Sequence, residues 1–549
     1  MNKNGIIFFL KSILFSNTLV SIGAMLLLLS SCISVEKYNQ QIGELHSPEN
    51  LREDVDYIYK KLQNLHPRLY QFVSKEVLDR KFDSLKSSII SPMLSKDFYY
   101  KLSPIIAEVR QGHISMGFPQ KRYTRKERKA LKKLKLGFND LAFEHLDNKL
   151  WISNAMGKDS ILVGSEVLAV NNEQIGTIVD RYKKTFSSDG YNTTFQDKII
   201  GLRFPGVYRK YEGYLDSISL TLKIKDSVFT KQYKRFLKDS SELKKVKKVK
   251  KDTVTRAKIV KLTKAERKLR KIERKQKRKD NKMYGYIANR NRYTRNFKFL
   301  DSSKHIAYMK IRNWNNGKYK KFYKESFGAI DSLKAQFLIL DLRDNTGGRL
   351  NEIQEFYSYL VDEEFQFVKK AETKTRLPYI KNYYGKNSSV LSIIEESIAI
   401  PFLFTLNLLN SHKKNDTLQF NYKPAKKKKP SSLNFKGDMY VLINGNSFSA
   451  SSIISTNLKA TKRAIFVGEE TGGAYNGTVA GFYKTVYLPN SKVGVNIGLM
   501  HIQSLYEEDL IGYGIRPDTQ IIPTAIDRRN GVDPEMEWVL EDIKAKKKN

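Results

Sequence analysis

The stretch Met439–Ala460, MYVLINGNSFSASSIISTNLKA, predicts a strand, a tight turn and a helix with a serine at the junction. Met439–Ile443 is a short apolar run that Asn444–Asn446 ends abruptly, which is typical of a buried strand. From Ala450 onwards apolar residues recur at helical spacing. Ser449 is therefore expected where a helix begins, beside unpaired backbone N–H groups and the positive end of the helix dipole.

Ser449 allows two interpretations at this stage. A hydroxyl beside free N–H groups suits covalent chemistry that builds an oxyanion, but serine is also among the commonest residues that cap a helix. A second stretch favours chemistry. Phe337–Asn345, FLILDLRDN, predicts another buried strand, and it runs into Gly347 and Gly348, a pair of glycines that lets the backbone approach a ligand closely.

Together these stretches resemble the S41 family of peptidases, which includes the C-terminal processing proteases, the tricorn core proteases and retinoid-binding proteins. The family's DLR-x-N-x-GG signature appears as Asp341–Gly348, and its S-A-x-E nucleophile turn appears as Ser449–Ser452, where Ser452 replaces the usual glutamate. Downstream, Val467–Gly473 resembles the family's G-E-x-T-x-G turn, and Gly514–Asp518 resembles its closing G-V-x-P-D turn.

The resemblance implies roles for the residues around the nucleophile turn. Ser449 would be the nucleophile. The N–H of Ala450, together with the backbone of Gly347 or Gly348, would form the oxyanion hole. The sequence does not decide between the two glycines.

The general base is predicted to be His113. In tricorn-like members a D-G-H-T segment supplies the catalytic histidine, and Gly112-His113 matches its core while Gln111 stands in place of the aspartate. Imidazole titrates near neutral pH, so activity is expected to rise with pH through an ionisation of that kind. His501, in the hairpin after the nucleophile helix, is the rival, whereas His66 looks like a helix-end residue.

A lysine base and the orienting acid are less well defined. Processing proteases of the family use a lysine in the glycine-rich turn after the nucleophile, where this chain has Ala474. Lys459 or Lys462 could be proposed without family support. The tricorn-like branch has a glutamate shortly before the closing turn. Glu507 and Glu508 lie in that region, a few residues upstream of the usual place.

The N-terminus looks like a bacterial lipoprotein signal. Met1–Ser31 carries lysines around an apolar run that ends in the lipobox Leu29-Ser30-Ser31-Cys32. Cys32 is the only cysteine in the chain and is the predicted lipidation site. A retained transmembrane anchor is the alternative. The signal implies a lipid-anchored protein of the bacterial cell envelope, on the periplasmic face or the outer membrane surface.

The net charge of +41 over 549 residues is unusual for an enzyme. The lysines and arginines concentrate in Lys244–Lys282, with smaller runs at Lys426–Lys429 and Lys544–Lys548. Such runs are usually solvated. The functional alternative is contact with anionic phospholipid or lipopolysaccharide, which a tethered protein would meet. Nucleic acid is not expected as a partner of an exported protein.

The predicted fold class is α+β and multidomain. It has an N-terminal helical domain, a PDZ-like β domain and an α/β catalytic core of the S41 (ClpP/crotonase-like) type. The PDZ-like assignment depends on the resemblance of Ile161–Asn172 to the G-D-x-I-L-x-I-N-G core, and an unrelated β insertion is the alternative. The predicted divisions are a signal and lipobox (1–32), a tether (33–50), the helical domain (51–130), the PDZ-like domain (131–230), a Lys-rich linker (231–292) and the catalytic domain (293–549).

The sequence therefore predicts a serine endopeptidase that hydrolyses envelope or extracellular polypeptides through a serine nucleophile and a histidine base. No metal or cofactor is implied, because no His/Cys/Asp cluster has ligand spacing. The alternative is a catalytically inactive protein on the same fold that binds peptides or apolar ligands, as retinoid-binding members of the family do. The departures at Gln111 and Ser452 favour that alternative.

Overall fold

The computed structural model describes residues 34–155, 157–237, 263–288, 292–315, 317–383 and 402–547. The predicted signal with Cys32 lies outside these residues, as does the Lys-rich run before residue 263. Within the described ranges no helix is long and apolar enough to cross a membrane.

The N-terminal part is mainly helical. Ser47 and Ser74 each cap a helix by accepting a backbone N–H at its first turn, as small polar residues do at helix starts. The helix after Ser47 buries Leu51, Val55 and Ile58 along one face. The elements are α1 (Val35–Gly43), α2 (Pro48–Leu65), α3 (Lys75–Ser87), α4 (Ser95–Ala107), strand β1 (Ser115–Gly117) and α5 (Arg125–Leu131).

An antiparallel sheet follows, with two helices beside it. Its strands lie in the order β2-β8-β7-β5-β4-β3, and β6 pairs with β5. The alternation of buried Ile218, Leu220 and Leu222 shows that one face of β7 is covered. The elements are β2 (Leu134–Leu136), β3 (Ala142–Leu146), β4 (Lys149–Asn154), β5 (Glu166–Val170), β6 (Glu173–Gln174), α6 (Ile175–Lys183), α7 (Thr194–Glu212), β7 (Ser217–Ile224) and β8 (Ser227–Leu237).

This sheet extends beyond the predicted boundary at residue 230. Strand β8 continues to Leu237 because its last residues pair with β2, Leu237 opposite Leu134. The described part of the Lys-rich segment contains the helix α8 (Lys264–Tyr284), which begins with a capping box between Thr263 and Glu266.

The remaining elements belong to the C-terminal part. They are β9 (Tyr286–Ile287), β10 (Arg292–Tyr293), β11 (Arg295–Phe299), β12 (Ile306–Ile311), α9 (Tyr319–Ser332), β13 (Phe337–Asp341), α10 (Leu350–Tyr357), β14 (Phe365–Gln366), β15 (Ala371–Glu372), α11 (Pro378–Tyr383), α12 (402–410), β16 (Ser411–Lys414), β17 (Thr417–Phe420), β18 (Lys427–Lys428), β19 (Asp438–Ile443), α13 (Ala450–Ala460), β20 (Ile465–Gly468), β21 (Thr478–Tyr487), β22 (Gly494–Ile502), β23 (Thr519–Gln520), α14 (Ala525–Asn530) and α15 (Pro534–Lys546).

The central sheet of this part has the order β11-β12-β13-β19-β20-β23. Strands β12, β13, β19, β20 and β23 run parallel, while β11 is antiparallel to β12. Every residue of β13 is buried, as expected of a parallel strand covered on both faces. The pairing of Asp341 with Leu442 brings the ends of β13 and β19 together. The two turns singled out in the sequence are therefore neighbours.

A second sheet joins a strand of the N-terminal part to strands of the C-terminal part. Its order is β1-β22-β15-β17-β16, with β21 paired to β22. Strand β1 pairs with β22 in antiparallel register, Ser115 opposite Asn496. Since β1 begins two residues after His113, this pairing carries the predicted base to the β21–β22 hairpin.

Candidate active site

The backbone at Ser449 is strained. Its φ of 60° and ψ of −118° lie in a region that residues other than glycine rarely adopt. The side chain makes no capping hydrogen bond to the helix that starts at Ala450, so the interpretation of Ser449 as a simple N-cap does not fit. The strained turn instead leaves the hydroxyl beside the N-terminus of α13, at the end of β19.

The segment Asp341–Asn345, the DLRDN turn, packs against the turn that carries Ser449. The N–H of Phe448 donates to the carbonyl of Asn345 at 3.1 Å. Gly347 has a φ of 96°, and a Cβ added there would lie 2.8 Å from the Cβ of Ser449. Only glycine allows this approach without displacement, which accounts for the first of the paired glycines.

Charged side chains hold the DLRDN turn in place. Lys310 and Arg343 both bind the buried carboxylate of Asp341, at 2.7 Å and 2.8 Å. Although burial opposes it, their charges lower the pKa of Asp341. Asp344, also in the left-handed region, accepts hydrogen bonds from the side chains of Asn444 and Asn446. The two turns are thus bound to each other by polar contacts.

The donors of the predicted oxyanion hole can be separated. The N–H of Gly347 donates to the side-chain oxygen of Asn345 at 3.0 Å and is occupied. The N–H groups of Gly348 and Ala450 have no hydrogen-bond partner among the described residues. Gly348 also lines the same cleft as Ser449. The geometry therefore favours Gly348 over Gly347 as the second donor.

His113 lies against the nucleophile turn. Its ring centroid is 4.9 Å from that of Phe448, the residue before Ser449. Its Nδ1 is 3.2 Å from the hydroxyl of Tyr483. Its Nε2 is shielded from solvent and has no partner among the described residues. The structure therefore brings His113 to the residue before Ser449 and leaves its Nε2 without a partner among the described residues.

The pKa of His113 differs from the sequence expectation. Burial lowers it to about 4, well below that of ordinary imidazole, because the charged form loses its hydration. At neutral pH the ring is therefore uncharged, which is the state that a general base requires.

Asp189 is a buried acid at this site that the sequence did not indicate. Its Oδ1 accepts the N–H of Gly112, next to His113, at 2.8 Å. Burial raises the pKa of Asp189 to about 7, against the opposing effects of the Thr478 hydroxyl and the N–H groups of Gly112 and Ala474. The residue stands in a turn-like Asp-Gly pair, and no spacing in the sequence links it to His113.

A cleft of about 550 Å³ opens at Ser449. One wall comes from the glycine turn and the other from β21 and β22. Apolar side chains dominate between them, while Asn315, Arg349 and Lys423 add polar groups. The lining from the hairpin is Thr478, Ala480, Gly481, Phe482, Tyr483, Met500 and Ile502. Such a lining suits an extended chain with apolar side chains.

Helix α7 also reaches the nucleophile turn. Phe195 stacks on Phe448 with ring centroids 4.3 Å apart. A Cβ at Gly445 would lie 2.4 Å from the carbonyl oxygen of Thr194. Lys198 lies 3.5 Å from Glu469. The sheet-and-helix part before residue 238 therefore packs directly on the turn that carries Ser449.

The two predicted orienting acids lie elsewhere. Glu507 is about half exposed, with 52% of its side chain accessible, and binds Lys369 and Gln503. Glu508 exchanges hydrogen bonds with Asn476 through its backbone. Neither carboxylate has a contact with His113 among the described residues, so the structure does not bring them to the base.

The rival histidines form a separate group. His501 is buried with its Nδ1 4.0 Å from Glu372, and burial lowers its pKa to about 3. His66 ends α2, is fully buried, and has a pKa lowered to about 3 by burial and then by the proximity of His501. Neither has a described contact with Ser449.

The lysine alternatives also find no support in the geometry. Lys459 binds Asp518 at 2.5 Å, and Lys462 is exposed after the end of α13. Ala474 is buried, with its N–H facing Asp189. Within the described residues, no group of histidine, cysteine and acidic side chains has metal-binding geometry.

Both departures from the family pattern have structural partners. The amide of Gln111 donates to Gln71 at 3.0 Å and accepts from the N–H of Val479 at 3.4 Å. Ser452 is buried, donates to the carbonyl of Ser447 at 3.1 Å, and faces Gly473. Gln111 therefore links the segment before His113 to β21, and Ser452 binds the backbone of the turn that carries Ser449.

Comparison with known proteins agrees with this geometry. Residues 305–521 match the model of peptidase family S41. No curated protein matches in sequence. Mature CPAF complexed with lactacystin matches at 15% identity and a TM-score of 0.57, over 90% of this chain and 98% of that chain. Mature CPAF matches at 14% identity and a TM-score of 0.56, over 88% and 94%. The photosystem II D1 C-terminal processing protease reaches a TM-score of only 0.39 at 12% identity, over 86% and 93%, which is too low to bear on the fold.

The fold is thus a mixed α/β fold, and CPAF shares its overall architecture. In this chain the parallel sheet ends at the strained turn that carries Ser449. The segment 305–521 belongs to peptidase family S41. The family resemblance in the sequence is thereby confirmed. The matched segment contains Ser449 and the glycine turn, while His113 and Asp189 lie before it.

Proposed function

We propose that this protein is a serine endopeptidase with Ser449 as nucleophile and His113 as general base. The observation that carries the proposal is the strained backbone of Ser449 beside two unpaired N–H groups and a buried neutral imidazole. Strain of this kind persists where surrounding structure enforces it, and it concentrates at functional sites.

The chemistry follows from these groups. His113 Nε2 takes the hydroxyl proton as Ser449 attacks the peptide carbonyl. The N–H groups of Ala450 and Gly348 bind the developing oxyanion. The imidazolium then gives its proton to the leaving amine, and the C–N bond breaks to leave an acyl-enzyme. Water attacks the ester with His113 again as base, which releases the acid and restores the hydroxyl.

A fluorophosphonate probe tests the nucleophile. The probe should label the wild-type protein and fail to label Ser449→Ala. Ser455→Ala is the matched control, because Ser455 is also buried on α13 and its hydroxyl has no described partner. Equal labelling of wild type and Ser449→Ala would remove Ser449 from the mechanism. An unlabelled but folded wild type that binds peptides would favour the inactive binding protein.

We further propose a PDZ-like role for the sheet at 131–230, as a scaffold beside the active site. Its contact with the nucleophile turn through Phe195 supports that role. Strand β3 is an edge strand, but α7 lies against it so closely that a Cβ at Gly201 would be 2.4 Å from the N of His145. We therefore expect no peptide to add to β3 at that point.

We propose a lipid anchor at Cys32 on sequence grounds alone, and with it a location in the bacterial envelope. Cys32→Ser should leave the precursor uncleaved or release the protein from membranes. Wild-type protein recovered from salt-washed membranes with residues 1–31 still attached would argue for a retained apolar span.

Contact with an anionic lipid or lipopolysaccharide surface is also proposed, through α8. Its exposed cations Arg267, Arg270, Arg274 and Arg278 recur three or four residues apart and so share one face, with no acidic residue between them on that face. Vesicles with anionic lipid should retain the protein at low salt and release it at high salt. Equal binding to neutral vesicles would contradict this.

A further inference from the structure

The loop that carries Asp189 is hydrogen-bonded to the loop that precedes His113. Asp189 Oδ1 accepts the N–H of Gly112, and the N–H of Gly190 donates to the carbonyl of Arg110, both at 2.8 Å. The backbone before His113 is therefore fixed by this loop at two adjacent points.

The same residue also reaches the segment after the nucleophile helix. The N–H of Asp189 donates to the carbonyl of Gly472 at 3.3 Å. The Thr478 hydroxyl and the N–H of Ala474 face the carboxylate closely enough to lower its pKa. The second oxygen, Oδ2, nevertheless has no hydrogen bond of ordinary geometry to a described residue. Asp189 thus connects the loop before His113 to the segment Gly472–Thr478, and its Oδ2 has no hydrogen-bond partner among the described residues.

No cation of the described residues balances the negative charge that Asp189 carries when it is ionised. Among the described residues, no lysine or arginine forms an ion pair with Asp189, although its side chain is fully buried. The titratable group that its charge reaches is Tyr483, whose pKa is raised by burial and then by the charge of Asp189 and whose hydroxyl lies 3.2 Å from His113 Nδ1. A buried carboxylate without a counter-ion is costly, and such groups concentrate at functional sites.

This inference rests on the proposed hydrolase function. We infer that Asp189 is a positioning residue that holds the Gly112–His113 turn beside Ser449, and that its charge stabilises the imidazolium formed when His113 takes the serine proton. The acid of this site would then come from the loop before α7, and not from Glu507 or Glu508.

The physical reason lies in the burial of His113. Its ring is hard to protonate where it stands, so a proton accepted from Ser449 creates a charge in a poorly solvated place. Tyr483 links the two residues, because its hydroxyl lies 3.2 Å from His113 Nδ1 and its pKa is raised by burial and then by the charge of Asp189. A negative charge on that side of the ring lowers the energy of the imidazolium. The rate should therefore rise as Asp189 loses its proton, near pH 7.

The variant Asp189→Asn tests this, because asparagine keeps the shape and the acceptor for Gly112 but removes the charge. The readout is the second-order rate of fluorophosphonate labelling of Ser449 as a function of pH. The wild-type rate should rise through an ionisation near pH 7. The Asn variant should lose that ionisation and react about 10- to 100-fold more slowly at high pH.

Asp54→Asn is the matched control. Asp54 is also fully buried and accepts backbone N–H groups, from Asn490 and Ser491, but it lies on α2 and holds the β21–β22 hairpin turn. Its substitution should lower stability and leave the pH profile of labelling unchanged. A loss of the ionisation near pH 7 in this control as well would assign it to general loosening and overturn the inference.

Thr478→Val covers the case in which Asp189→Asn fails to fold. Removal of the hydroxyl that lowers the pKa of Asp189 should move the ionisation in the labelling profile to higher pH. An unmoved ionisation would count against Asp189 as its source.

Tyrosine NMR in a Ser449→Ala background separates this inference from the proposed function, since it needs no activity. The pKa of Tyr483 is raised by burial and by the charge of Asp189, so it should fall when Asp189→Asn is added. If the wild type is never labelled, the proposed function fails, while this titration still tests the charge of Asp189. An Asp189→Asn protein with the wild-type labelling profile and an unmoved Tyr483 titration would overturn the inference.

Discussion

Ser449 stores conformational energy in its own backbone. A residue with a Cβ in such a conformation costs of the order of 1–3 kcal/mol. Since Ala has the same restriction, Ser449→Ala removes the hydroxyl and keeps the strain, whereas Ser449→Gly removes both. We expect Ser449→Gly to melt at a higher temperature than Ser449→Ala, with neither protein labelled by the probe. A lower melting temperature for the glycine variant would show that the turn is unstrained.

Gly347 leaves no room for an added methyl group beside the nucleophile turn. Gly347→Ala would place a Cβ 2.8 Å from Ser449 Cβ at a φ of 96°. We expect labelling to fall by at least about 100-fold and the melting temperature to drop, because the nucleophile turn must move. Gly531→Ala is a control, since Gly531 also has a positive φ but open space around it. It should lower stability and leave labelling intact.

His113 should be essential and His501 dispensable for the chemistry. His113→Ala should reduce the labelling rate by orders of magnitude, because it removes the proposed general base. His501→Ala should leave the rate at a given fraction folded nearly unchanged. Because the pKa of His113 is lowered to about 4, its own ionisation should fall on the acid side of the profile. A normal rate in His113→Ala would end its assignment as base.

At the scale of elements, the start of α13 is closed to larger side chains. A Cβ at Gly473 would lie 2.3 Å from the hydroxyl oxygen of Ser452. We expect Ser452→Glu, which restores the family motif, to destabilise the protein by several kcal/mol and lower activity, because it buries a carboxylate in a filled space. Ser452→Ala should be tolerated. A folded Ser452→Glu protein with increased labelling would contradict this packing argument.

The elements differ in how far the sequence could predict them. The β19–turn–α13 unit was predictable, because Met439–Ile443 is a local apolar run and the turn residues follow it directly. The contact of His113 with the nucleophile turn was not predictable from local pattern, since it depends on a three-residue strand, Ser115–Gly117, that pairs with β22 far along the chain. Only the family resemblance indicated it. Neither a local pattern nor the family resemblance indicated that Asp189 lies at the site.

At the scale of the whole molecule, acid should loosen the contact between the N-terminal helices and the β22 sheet. His66 and His501 have folded pKa values of about 3, against about 6.5 in an unfolded chain. The unfolded chain therefore takes up protons first. The stability that depends on these neutral rings is complete above about pH 6.5 and is lost as the pH falls toward 3.

The double variant His66→Asn/His501→Gln tests this pH dependence. Its melting temperature should be lower than that of the wild type at neutral pH but should fall less steeply between about pH 6.5 and about pH 4. His412→Gln is the control, because His412 is partly exposed on β16 beside Lys370. Parallel melting curves for the wild type and the double variant would assign the acid sensitivity to other groups.

The pairing of β1 with β22 also has a consequence for the order in which the protein is made. His113 leaves the ribosome early, whereas the strand that carries β1 into place ends at Ile502. A nascent chain that stops before β22 holds the predicted base but lacks the strand that places it at the nucleophile turn. If His113 and Ser449 act as proposed, catalysis can begin only after β22 has been synthesised.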